Sequence, residues 1–133
     1  MGYTTDREKY ERENAITYEI RGAVFEVYNN LGPGLLESVY ERALVCELEK
    51  RGLKVERQVC VPILYDGQRL DSDLRLDLLV EDLVIVELKS VLEMKDVFHL
   101  QLTTYLKLSG KHVGLLVNFN TDNIVQSIYR QVC

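Results

Sequence analysis

Residues 75–90 read Arg75-Leu76-Asp77-Leu78-Leu79-Val80-Glu81-Asp82-Leu83-Val84-Ile85-Val86-Glu87-Leu88-Lys89-Ser90. Two apolar runs flank Glu81 and Asp82, the pattern of a hairpin that turns there. Asp77, Glu87 and Lys89 are set into its most hydrophobic part, where each charge carries a large desolvation cost unless something pairs with it. Side chains alternate along a strand, so Glu87 and Lys89 point the same way as Leu83 and Ile85, while Val84, Val86 and Leu88 make an apolar face that belongs in a core. A turn near Glu81 and Asp82 sets Asp77 opposite or nearly opposite Glu87, and such cross-strand partners stand about 5 Å apart. Two carboxylates that close repel unless a cation lies between them, and hard oxygen donors suit Mg²⁺ or Mn²⁺. A plain ion pair of Lys89 with Glu87 or Asp77 at a sheet edge accounts for the same residues. The hairpin alone leaves both readings open.

The surrounding chain bounds the rest. Its 133 residues suffice for one domain, 1–133, with a substantial core. At 47% hydrophobic and 28% charged residues it has the composition of a soluble globular protein. No apolar run approaches the roughly 20 residues that span a bilayer, and the first 13 residues are too charged for a signal peptide, so a cytoplasmic location without a membrane partner is expected. Cys46, Cys60 and Cys133 are odd in number and widely spaced, and His99 and His112 lie on different elements, which supports neither a disulfide framework nor a zinc site. A net charge of −5 counts against a nonspecific coater of nucleic acid. It leaves room for an enzyme that grips phosphates through a local basic rim and a bound metal ion.

Working outward, apolar residues at Ile16, Ile20, Ala23, Val24, Val27 and Leu31 recur at helical spacing and predict a helix over 5–30, its charged front (6–13) solvated or frayed. Leu31-Gly32-Pro33-Gly34 ends it. A second helix is expected over 35–51, with Leu36, Val39, Tyr40, Ala43 and Leu44 inward and Gly52 as its stop. Residues 54–65 alternate as a strand and end in the turn signal Asp66-Gly67. After the 75–90 hairpin come a third helix over 95–108, stopped by Ser109-Gly110, and a doubly buried strand at 113–119. Residues 122–130 suit a strand or a short helix. The order α-α-β-β-β-α-β, closing on a strand–helix–strand crossover, predicts an α/β (α+β) fold with a mixed sheet of four or more strands flanked by helices.

That order, with Asp on the second strand and Glu-x-Lys on the third, resembles the restriction-endonuclease-like core of the PD-(D/E)XK nuclease superfamily. Within it the chain is similar to the small GxxExxY proteins, whose motif stands here as Gly34-Leu35-Leu36-Glu37-Ser38-Val39-Tyr40. Residues 75–82, 84–90, 99–106 and 113–119 also match. Leu76 occupies the position of the superfamily's proline, which has no chemical duty. The resemblance implies that Asp77 and Glu87 are the principal ligands of Mg²⁺ or Mn²⁺, with the backbone carbonyl of Leu88 and with Glu37 assisting. Glu37 is equally placed as a helix-terminal acid stabilised by the macrodipole. Lys89 would orient or deprotonate the attacking water and stabilise charge at phosphorus. Gln101 would help hold that water or Lys89. Tyr105, one helical turn beyond Gln101, and Tyr40, which closes the motif, are auxiliary candidates, core packing being the alternative for Tyr105. Arg75 would touch a phosphate or form a surface ion pair.

The function implied is a metal-dependent nuclease hydrolysing phosphodiester bonds of nucleic acid, DNA foremost. The chain carries only a catalytic core, so specificity would come from a homodimer, a partner protein, or DNA shape and ends. The alternative is an inactive nucleic-acid- or protein-binding module that keeps the fold.

Overall fold

The 75–90 stretch folds into the hairpin that its two apolar runs and central turn demand. In the computed structural model, which describes residues 6–133, β2 (Gln68–Val80) and β3 (Val84–Lys89) are antiparallel, with Leu78 facing Val86, Leu79 facing Ile85 and Val80 facing Val84. The turn is where it was expected. Leu83 N–H donates to Val80 O at 3.0 Å, and the central residues Glu81 and Asp82 adopt φ of 53° and 57°. That left-handed pair matches the twist of the flanking strands. Two outside contacts hold it: the Glu81 carboxylate accepts Lys54 N–H at 2.7 Å, and Lys111 Nζ lies 3.4 Å from Asp82.

Ahead of this hairpin run α1 (Asp6–Lys9), α2 (Glu11–Leu31), α3 (Glu37–Lys50) and β1 (Val55–Tyr65); after it come α4 (Asp96–Ser109), β4 (Val113–Asn118), a 3-10 turn (Ile124–Ser127) and β5 (Ile128–Val132). The five strands form one sheet in sequential order, parallel only between β3 and β4. That pair is parallel because α4 carries the chain back across the sheet between them. The ambiguous tail is a 3-10 turn followed by an edge strand. The expected mixed sheet flanked by helices is therefore present, with one strand more at its end.

Both faces of the sheet are covered. Val84, Val86 and Leu88 pack with Ile20, Val24 and Leu44 beneath α2 and α3. Ile85, Leu79 and Leu116 pack under Leu102 and Leu106 of α4. A Cβ built on Gly114 of β4 would stand 2.8 Å from Leu102 Cδ1, so glycine there permits the close approach of α4 to the sheet.

Three expectations need correction. Leu36 and Val39 are 74% and 40% exposed rather than inward, because α3 begins only at Glu37 and its buried stripe is Tyr40, Leu44 and Leu48. The charged front of the first helix is broken at Tyr10, and the Tyr10 ring is buried with Lys9 and Arg130 against it. One aromatic thus anchors a segment that otherwise reads as solvated; the expected start at Thr5 lies outside the described residues. The long partner of β1 was also missed: residues 68–74 extend β2, and β1 with β2 projects as a mostly exposed ribbon ending at Asp66-Gly67.

Tyr40 explains the shape of the loop before α3. It is fully buried, stacks on Phe119 at 4.3 Å, donates from its hydroxyl to Gly32 O and accepts Leu35 N–H at 3.2 Å. Gly34 between them has φ of 97°, open only to glycine without strain. Tyr40→Phe is expected to destabilise the fold by about 1–3 kcal/mol, the scale for orphaning buried polar groups, measured by urea unfolding. A loss below about 0.5 kcal/mol would mean that the hydroxyl contributes nothing there.

Candidate active site

Asp77 owes its direction to a reversal of faces shared by β1 and β2. Leu78 and Val80 belong to the core under α2 and α3, whereas Leu76 and Leu79 belong to the core under α4. Strict alternation would place Leu76, Leu78 and Val80 together. The strand therefore switches faces between Asp77 and Leu78. On β1 the consecutive Arg57 and Gln58 both reach the Glu41 carboxylate of α3, at 3.2 and 2.6 Å, so the same switch occurs there. Gln58 takes φ of 50° to achieve it. Because both strands switch together, the register survives: Arg57 faces Leu78 and Val59 faces Leu76. Asp77 is turned toward α3, into a cavity of about 180 Å³ shared with Glu37, Ser38, Glu41, Gln58 and Leu88.

At this point β2 and β3 part. Their ladder stops at Leu78 and Val86, and the acids take over the backbone donors beyond it. Asp77 N–H donates to Glu87 Oε1 at 3.1 Å, and Leu88 N–H donates to Asp77 Oδ2 at 2.8 Å. A strand residue points its N–H and C=O the same way, so the Leu88 carbonyl is turned toward Asp77 as well. Glu87 is 6% exposed. Burial, and then the charge of Asp77, push its carboxyl up to about 9, with Lys89 opposing the shift. The charged form of Glu87 is thereby disfavoured.

Glu37 stands in the first turn of α3. It is exposed at the rim of the Asp77 cavity and accepts Ser90 N–H at 3.4 Å. Lys89 follows Glu87 on the α4 side, its Nζ 4.5 Å from the centre of the Phe98 ring. With Phe98, Gln101 and Thr104 it lines a second cavity of about 440 Å³. Gln101 donates to Tyr105 Oη at 2.9 Å. The Tyr105 hydroxyl is pushed up by burial and then by the charges of Glu87 and Asp77, with its Gln101 hydrogen bond opposing. Arg75 is exposed on the ribbon, and Tyr40 is buried in the core rather than lining either cavity.

The candidate site residues therefore border two depressions. Glu37 and Asp77 share the one beside α3, Lys89 and Gln101 share the one beside α4, and Glu87 lies between them. The division follows from the face switch, which turns Asp77 one way while ordinary alternation keeps Lys89 on the other. Glu41 and Gln58 were missed by sequence reasoning; their only signal is the polar run Glu56-Arg57-Gln58, which interrupts an alternating strand.

Among the described residues no group of three or more His, Cys, Asp or Glu side chains is placed to hold a metal ion. Glu37, expected as a third acid, is engaged at Ser90. The donor set is the pair Asp77 and Glu87, hard oxygens that cannot both be charged without a compensating cation. Two carboxylates suit Mg²⁺, which keeps several of its waters and completes its shell from substrate phosphates. The pair fits such an ion.

No curated protein and no solved structure matches the chain. Residues 14–131 match the family model described as the PD-(D/E)XK nuclease superfamily, a span that takes in both acids, Lys89 and all of the sheet but its last residue. On that match over most of its length, the chain belongs to the PD-(D/E)XK nuclease superfamily.

Proposed function

We propose that this protein is a metal-dependent nuclease that hydrolyses phosphodiester bonds of nucleic acid, DNA foremost, with the acid pair as its centre. The observation that carries the reading is that Asp77 and Glu87 meet where two strands part, in a state that burial and mutual repulsion make unfavourable without a cation. Asp77 and Glu87, with the Leu88 carbonyl and Glu37 beside them, would hold Mg²⁺ or Mn²⁺, which when bound neutralises phosphate charge and acidifies water. Lys89 adds a fixed positive charge on the α4 side, where it stabilises negative charge at phosphorus and orients the attacking water. Phe98 beneath its ammonium restricts where that charge can move. Gln101, bonded to Tyr105, holds water or Lys89 in place, and Arg75 on the ribbon meets a flanking phosphate.

The motif at 34–40 supports a place among the GxxExxY proteins. Recognition of particular sequences is assigned to a second copy or to a partner protein. Among the described residues no helix is long and apolar enough to cross a membrane.

The test is a screen of plasmid DNA, linear DNA and RNA with Mg²⁺ or Mn²⁺. Cleavage that EDTA stops is the expected result. Intact substrates under every metal condition would return the chain to the class of binding modules that keep a nuclease fold.

A further inference from the structure

We propose that Glu41 is a positioning residue for Asp77 and acts through Gln58, a role whose link to catalysis rests on the nuclease reading above. Gln58 has the backbone of a left-handed residue, φ 50°, inside a β-strand. Such a conformation is disfavoured for any side chain with a Cβ, and glutamine is not among the residues that tolerate it best. It persists where the surroundings over-determine it. Here the surroundings are the Glu41 carboxylate, only 6% exposed, which accepts Gln58 Nε2 at 2.6 Å and Arg57 Nη2 at 3.2 Å. Two consecutive side chains are thereby drawn to one face, which a regular strand forbids.

The consequence passes across the ladder. Residue 58 lies between the pairs Arg57–Leu78 and Val59–Leu76, which puts it abreast of Asp77. If Gln58 relaxed to ordinary strand geometry, β1 would recover its alternation and β2 would have to follow or break register. Asp77 would then lose its direction toward α3 and its contact with Leu88 N–H. An ion pair of the buried Glu41 with the exposed Arg57, serving only to join α3 to the sheet, explains the charges. It does not explain why Gln58 is bent, nor why the bend falls beside Asp77.

The amide of Leu88 reports directly on where Asp77 stands. In Glu41→Ala, hydrogen exchange followed by NMR should show protection of the Leu88 amide falling by on the order of 10-fold or more, with amides of Leu115 and Leu116 in β4 unchanged. Gln58→Val, whose branched side chain resists a left-handed backbone, should do the same and keeps the test available should Glu41→Ala not fold. Gln58→Gly adopts the bend unaided, so adding Glu41→Ala to it should change Leu88 protection by less than about 3-fold. Calorimetry with Mn²⁺ should find affinity weakened about 10–100-fold in Glu41→Ala, the usual cost of losing a residue that orients a ligand. Leu88 protection that stays at the wild-type level in Glu41→Ala or Gln58→Val overturns the proposal. A wild-type protein that does not bind Mn²⁺ overturns the nuclease reading instead, and the amide result still decides the role of Glu41.

Discussion

Asp77→Asn is expected to abolish Mn²⁺ binding and nucleic-acid cleavage together, while making the ion-free protein more stable at neutral and alkaline pH. The amide can still accept Leu88 N–H, so the change removes charge with little change of shape. What it relieves is the strain on Glu87, whose carboxyl burial and the Asp77 charge raise from 4.5 to about 9. Below the lower value Glu87 is protonated in the folded and unfolded chains alike. Between the two values the unfolded chain releases the proton and the folded chain keeps it, so stability falls as pH rises across that window. Removing the Asp77 charge lowers the upper limit of the window, although the larger contribution, burial, remains. Urea unfolding of both proteins in chelator, from about pH 5 to about pH 9, checks this: the advantage of Asp77→Asn should grow with pH. A difference that stays constant across that range would mean that the two carboxyls are not coupled.

Lys89→Ala should leave Mn²⁺ affinity nearly intact and slow cleavage by on the order of 100-fold or more, the scale for losing one charge-stabilising or proton-transferring group. Lys89 is half-buried, stands over Phe98 and lies two residues from Glu87 on the same side of the strand. Its effect belongs to the chemical step, so single-turnover rates at saturating Mn²⁺ measure it better than steady-state rates do. A Lys89→Ala protein as active as wild type would point to a contaminating nuclease.

The parts of the fold that repeat a short period were legible. Residues 75–90 contain their own turn and two apolar runs, so the register that brings Asp77 abreast of Glu87 follows from counting. The crossover through α4 was legible for a similar reason, since a helical stripe between two apolar strands admits few alternatives. What escaped depends on contacts distant in sequence. The bend at Gln58 is held by Glu41, 17 residues away, and no local preference for a left-handed glutamine announces it. The burial of Tyr10 cannot be read from a period because it is a lone aromatic among charges. The division of the candidate site into two depressions is a corollary of the same bend.

The turn at Glu81 and Asp82 has a consequence for how such a molecule can change. From Asp77 to Lys89 the two acids and the lysine lie on a single short stretch of chain that closes on itself. The surfaces on either side come from elsewhere: Leu36 and Val39 at the start of α3, and Leu92, Val97 and Leu100 around the start of α4, all exposed and in neither core. Substitutions at those positions can remodel the approach to the acids without moving them. On the nuclease reading proposed above, descendants of this chain could exchange one target for another while inheriting the same reagent.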